Sequence, residues 1–248
     1  MKERGKIALV TGANRGLGFE TARQLARRGV KVLLGARSEE HGKEAAARLK
    51  SEGLDAEFIL VDMNDQKTHE KAARVIEEKF GKLDILINNA AVNLEGSADL
   101  EFQAASQTPI EIYRKTFETN FFGLITLTQK LLPLVKKSGA GRIVNLSSAL
   151  GSSTLHSDPA SFIYDFKIPA YDASKAAVNS FTIHLAYELK DTPIKVNAAD
   201  PGWVKTDMGG KNAPLEIEDG VKTSVELATL PDDGPSGKFI HMGAERPW

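Results

Sequence analysis

The chain has 248 residues, of which 42% are hydrophobic and 26% charged, a globular composition that argues against disorder. Lysine and arginine number 32 against 33 acidic residues, so the formal charge of −1 gives no electrostatic reason to expect a nucleic acid or an anionic membrane as partner. There is no cysteine, which excludes disulfides, thiolate metal sites and a cysteine nucleophile.

From Met1 the sequence runs through Lys2-Glu3-Arg4-Gly5 into a short apolar stretch unlike a secretion signal. No segment reaches the roughly 18–20 apolar residues that span a bilayer, so no membrane partner and a cytoplasmic location are expected. One fold of this length buries roughly three quarters of its unfolded surface. With no linker, repeat or low-complexity tract, residues 1–248 read as a single domain.

The first strand is Ile7–Val10. After it comes Thr11-Gly12-Ala13-Asn14-Arg15-Gly16-Leu17-Gly18, opening a helix over Gly16–Arg28 that carries Phe19, Ala22, Leu25 and Ala26 at helical spacing. Glycines here let the backbone turn tightly and approach a pyrophosphate, and the helix N-terminus offers unpaired N–H groups. A purely structural turn uses the same residues. The position between first strand and first helix favours a dinucleotide site.

The second strand, Val30–Leu34, leads into Gly35-Ala36-Arg37-Ser38. An acid about 20 positions beyond the glycines would hold the ribose hydroxyls of NAD. Arg37 stands 19 positions beyond Gly18 instead, and a guanidinium grips a 2′-phosphate with two hydrogen bonds. Arg15 is placed to reach the same phosphate. Glu39 or Glu40 binding ribose is the rival, though both suit the first turn of the helix Glu40–Ser51. NADP(H) is the favoured cofactor.

Next come a strand at Phe58–Val61, a helix at Gln66–Phe80, a strand at Leu83–Ile87 and one long helix at Pro109–Lys137. Arg142–Leu146 is a buried-type strand ending in Ser147-Ser148, where ligands of open α/β sheets bind. A serine there contacts a substrate oxygen or caps the next turn. The helix Ala170–Lys190 places Tyr171 and Lys175 on one face. An ammonium beside a phenol favours its ionised form, so the pair has the parts of a general acid/base. Strands Ile194–Ala198 and Lys238–His241 follow. Continuous Val, Ile and Leu runs alternating with helices imply an α/β, doubly wound, mostly parallel, seven-stranded Rossmann-like sheet with helices on both faces.

Taken together, these features resemble the short-chain dehydrogenase/reductase family, especially its NADPH-dependent carbonyl reductases. The resemblance rests on Thr11–Gly18, Asp62-Met63, Asn88-Asn89-Ala90, Asn120 in Thr119-Asn120-Phe121, Ser148, Tyr171/Lys175 and Pro201-Gly202-Trp203-Val204-Lys205-Thr206. They occur in family order over roughly residues 5 to 248.

The resemblance implies that Tyr171 protonates a carbonyl oxygen, which Ser148 orients. Lys175 would hold the nicotinamide ribose and, with the oxidised ring, lower the tyrosine pKa. Asn120 would interrupt its helix and hold a water linking Lys175 to solvent. Gly12, Asn14, Arg15, Gly16, Leu17, Gly18, Arg37, Asp62, Met63, Asn89, Ala90, Pro201, Gly202, Val204 and Thr206 would line the nucleotide. The implied activity is hydride transfer from NADPH to an aldehyde or ketone, reversible as an alcohol dehydrogenase, on a small-molecule substrate. Reduction of conjugated C=C bonds and a non-catalytic NADP(H)-binding sensor are the alternatives. The family often forms homo-oligomers, and insertions before the tyrosine accompany monomers, so both states stay open.

Two departures stand out. Ala91 replaces a family glycine and threatens to crowd a turn. The stretch from Ser148 to Tyr171 is longer than usual and carries Phe162, Tyr164 and Phe166, which either line a pocket or pack on their own domain. Asn93–Gln107 and Met208–Asp219 read as substrate loops after strand ends. The five scattered histidines lack ligand spacing, so no metal site is expected. Trp203 is a better pocket candidate than Trp248.

Overall fold

A computed structural model describes residues 3–95 and 104–248. In chain order it has β1 (Ile7–Thr11), α1 (Gly16–Arg27), β2 (Lys31–Ala36), α2 (Glu39–Ser51), β3 (Ala56–Leu60), α3 (Gln66–Phe80) and β4 (Ile85–Asn88). Then follow α4 (Ile110–Phe117), one π-helical turn (Glu118–Phe122), α5 (Gly123–Lys136), β5 (Arg142–Leu146), a 3₁₀ turn (Ala149–Gly151) and α6 (Ser153–Ser157). The remainder is α7 (Pro169–Glu188), β6 (Lys195–Ala199), α8 (Ile217–Gly220), α9 (Lys222–Ala228), β7 (Phe239–His241) and β8 (Ala244–Glu245).

The strands join in the order β3-β2-β1-β4-β5-β6-β7-β8, parallel except for the last pair. The expected seven-stranded sheet therefore gains an eighth strand. Residues Met242 and Gly243 both take positive φ, 46° and 78°, and so form the two-residue turn that folds β8 back on β7.

Alternation along β1 sends its side chains to two cores. Ile7 and Leu9 join Leu124, Leu127, Leu131, Val178 and Leu185 beneath α3, α5 and α7. Ala8 and Val10 join Ala22, Leu25, Leu49 and Val225 beneath α1, α2 and α9. Both faces are thus dry, which explains the unbroken apolar runs of the strands. A buried charge also needs partners: Arg142 in β5 donates to the carbonyls of Leu230, Ala140, Gly141 and Pro193 and to Asp232.

Strand order reverses between β1 and β4, one running on to β2 and the other to β5. Their carboxyl ends open a crevice at that switch point, where ligands of such sheets bind. Thr11 Oγ1 ties its floor together, accepting from the N–H groups of Asn89 and Ala90 at 3.0 Å each.

The helix over Pro109–Lys137 is interrupted at Asn120 by the π-turn, as the family resemblance implies. Met208–Asp219, read as a loop, has its final residues in α8. Of Asn93–Gln107, residues 96–103 lie outside the described residues.

Candidate active site

One cavity of about 1960 Å³ runs along the crevice. It gathers Gly12, Asn14, Arg15, Gly16, Leu17, Gly18, Arg37, Asp62, Met63, Asn89 and Ala90 with Ser148, Tyr171, Lys175, Pro201, Gly202, Val204 and Thr206. Asn120 does not line this wall and is buried behind it, and the rival ribose candidates Glu39 and Glu40 do not line it either.

The glycine loop fits a phosphate cradle. Gly12 takes φ +63°, and a Cβ at Gly18 would collide with the Gly12 carbonyl and the Asn89 side chain. Arg15 sits at the N-cap position of α1 in extended conformation without a side-chain cap, and no acid occupies the first turn. Gly16, Leu17 and Gly18 of that first turn line the cavity with no capping carboxylate competing for their N–H groups, which is the arrangement an anion requires.

Arg37 is exposed at the cavity rim and makes no ion pair with a described residue. Arg15 does not reach toward Arg37; it pairs with Asp207 at 2.6 Å, with both side chains about three-quarters exposed. Such a pair is worth at most about 1 kcal/mol and yields readily to a phosphate. Two further rim residues escaped sequence reading. His41 and Arg48 lie on one face of α2 together with Glu44 and Ala45, and all four line the cavity. Their spacing of three and four residues was the available signal.

The two serines after β5 diverge. Ser147 is buried and its hydroxyl donates to Asn179 Oδ1 at 2.6 Å, while Asn179 Nδ2 donates to the Gly151 carbonyl. That commits Ser147 to the protein. Ser148 Oγ accepts from the Leu150 N–H at 3.2 Å and remains on the cavity wall with Tyr171.

Tyr171 and Lys175 project from the same face of α7 into the cavity. Both are buried, and the Lys175 Nζ lies 5.6 Å from the centre of the Tyr171 ring. Burial pushes the Tyr171 phenol up, Asp172 and Asp200 add to this, and the nearby Ser148 hydroxyl opposes it. The protein alone thus keeps the hydroxyl protonated, the reverse of the lowering expected from the lysine. Burial drives Lys175 down to about 8, and its ammonium donates to the Leu146 carbonyl at 2.7 Å. A neutral phenol, a second hydroxyl and a weakened ammonium in one cleft make a general acid for an oxygen that develops negative charge.

Asn120 uses its whole amide on the protein. Its Oδ1 accepts from Val92 N–H at 2.8 Å, and its Nδ2 donates to the Val92 carbonyl at 2.9 Å and to Ser174 Oγ at 3.0 Å. The π-turn brings it there by rotating the residue out of the α-helical ladder. Position 91 needs no left-handed backbone, since Met242 is the sole described non-glycine with positive φ. In the long segment before Tyr171, Phe162 and Phe166 line the cavity and Tyr164 does not. Trp203 lines it as well, whereas Trp248 stacks on Phe239 with ring centres 5.6 Å apart.

Among the described residues, no helix is long and apolar enough to cross a membrane. Comparison with known proteins agrees with this architecture. Carbonyl reductase (NADPH) 1 of Mus musculus is 33% identical over 280 aligned residues, covering 98% of both chains. Salutaridine reductase of Papaver somniferum superposes with a TM-score of 0.80 at 31% identity, covering 94% of this chain and 99% of that one. A short chain dehydrogenase of Escherichia coli solved with NADPH superposes with a TM-score of 0.82 at 26% identity, covering 96% of each chain. The short chain dehydrogenase family matches residues 6–216, and the chain belongs to that family of oxidoreductases.

Proposed function

We propose that the chain works as a single unit, an NADPH-dependent reductase of aldehydes and ketones that runs in reverse as an alcohol dehydrogenase. One observation carries the reading. Tyr171, Ser148 and Lys175 meet at one part of a cavity whose walls elsewhere are the glycine loop and the exposed Arg37. The NADPH named for the mouse relative and held by the bacterial structure supports the cofactor assignment.

The glycine loop and the first turn of α1 would hold the pyrophosphate. Arg37 would hold the 2′-phosphate, with Arg15 released from Asp207. Asp62 and Met63 would border adenine, Asn89 and Ala90 the ribose, and Val204 and Thr206 the carboxamide. NADPH, when bound, supplies the hydride. The phenol of Tyr171 donates its proton to the carbonyl oxygen, and Ser148 Oγ donates a hydrogen bond to the same oxygen. Lys175 places a positive charge beside the phenolate that this transfer leaves, and so stabilises it. Phe162, Phe166 and Trp203 give the substrate an apolar wall.

The test mixes purified protein with NADPH and a panel of activated ketones, following loss of nicotinamide absorbance, with product analysis on an enone to separate C=O from C=C reduction. Carbonyl turnover is expected. Tyr171→Phe should lower kcat by about 100- to 10,000-fold while NADPH affinity is kept. Full activity in that variant defeats the mechanism, and binding without turnover across the panel defeats the function.

A further inference from the structure

Tyr171 stands in the first turn of a 20-residue helix whose own N-cap residue, Ile168, has no side chain able to accept a hydrogen bond. The leading N–H groups of a helix must still find acceptors. Pro169 has none to satisfy. Asp172 N–H donates to the Ile168 carbonyl at 2.8 Å. The two between them are taken by one carboxylate from a distant segment: Glu95 Oε1 accepts from Ala170 N–H at 2.9 Å and Oε2 from Tyr171 N–H at 2.7 Å.

The other end of that segment is fixed as firmly. Val92 is clamped through both its N–H and its carbonyl by the Asn120 amide. Asn93 Oδ1 then accepts from Glu95 N–H at 3.0 Å, shaping the short link between them. Asn120 also donates to Ser174 Oγ, and Ser174 in turn donates to the Tyr171 carbonyl at 2.7 Å. Tyr171 is therefore held by its N–H and its carbonyl in a closed loop of hydrogen bonds. The loop passes through the same strand-end segment whose Asn89, Ala90, Ala91 and Val92 line the cavity.

We infer that Glu95 is a positioning residue for the reaction: its carboxylate, gripping two consecutive amides of α7, sets where the Tyr171 hydroxyl stands relative to the wall formed by residues 89–92. This rests on the reading of Tyr171 as proton donor. The carboxylate touches no reacting atom. Its charge lies against the positive end of the α7 dipole, and among the described residues the other titratable groups beside it are Asp172 of α7 and Tyr113 of α4.

The experiment compares the full-length wild type with Glu95→Ala and with Glu95→Gln, which keeps the shape but has one acceptor oxygen for two N–H groups. Three readouts are needed: steady-state kcat with NADPH and a ketone, NADPH affinity from nicotinamide fluorescence, and hydrogen exchange at the amides of Ala170 and Tyr171. A misplaced proton donor costs about 10- to 100-fold in rate, so kcat should fall by that much in Glu95→Ala and by less in Glu95→Gln. NADPH affinity should be unchanged in both, and both amides should exchange faster. Wild-type kcat in Glu95→Ala, or kcat and NADPH affinity falling together, overturns the proposal. Unchanged exchange at Tyr171 overturns it too, and because exchange needs no turnover, that arm still decides on the cap if the wild type reduces no carbonyl.

Discussion

A serine pair and a cationic rim illustrate how much a single side chain decides. Ser147 and Ser148 are chemically the same, yet one hydroxyl is taken by Asn179 and the other stays on the cavity wall with Tyr171. Arg37 faces the crevice without a carboxylate partner among the described residues, so a 2′-phosphate would meet an unneutralised guanidinium. Arg37→Ala should raise the Kd for NADPH roughly 10- to 100-fold, the range of a charged hydrogen bond of about 1.5–3 kcal/mol, and leave NADH binding unchanged. Fluorescence titration with both nucleotides checks this, and equal weakening of the two refutes it. Lys175 sets a second expectation. Burial lowers it to about 8, so its ammonium is present below that pH and lost above it. The kcat for carbonyl reduction should therefore decline as pH rises through about 8, and a rate that stays flat from pH 7 to 9 contradicts the assignment.

The start of α7 also carries a pH effect of its own. Burial, with Glu95 adding to it, raises Asp172 to about 7 against the opposing Ile168 N–H and Lys167. The folded chain keeps a proton there that the unfolded chain releases near the ordinary carboxylate value, so between those two values rising pH destabilises the fold. Asp172→Asn should raise Tm at pH 8, with the gain vanishing near pH 4; thermal melts at both pH values test it. How legible such elements are depends on what marks them. The strands were readable because both sheet faces are dry, leaving continuous Val, Ile and Leu runs. The break at Asn120 was invisible to periodicity because apolar residues continue through Phe121 and Phe122 on both sides of it; only the family resemblance pointed there. Helix α9 buries Thr223 and Ser224 beside Val225 and Leu227, a face too polar to announce itself. Strand β8 depends on a Met-Gly turn in place of the usual Asn-Gly. Glu95 was unreadable for a different reason: an isolated acid in a polar stretch has no pattern, and its partners lie 75 and 76 positions away.

For the molecule as a whole, the doubly wound order puts the glycine loop of β1, the Asn89 turn of β4, the serines of β5 and the Pro201 turn of β6 at one end of the sheet. That convergence was inferable from the alternation of strands and helices, since parallel strands bring all their carboxyl ends together. A ligand bridging so many strand ends stabilises the folded state by mass action. NADPH at 100 times its Kd should add about 2.7 kcal/mol and raise Tm by roughly 5–10 °C, while NADH at the same concentration should add less. A melt insensitive to NADPH contradicts the cofactor assignment.

The β7–β8 hairpin has a bearing on how molecules meet. An unguarded outermost strand is a template on which a neighbour can lay its own backbone. Here the rim is two residues long, carries Glu245 ion-paired with Lys238 at 2.9 Å, and runs into Pro247, which has no N–H to offer. Sheet growth from one copy into the next is blunted on that side, which protects a concentrated or heated sample from stacking edge to edge through β7.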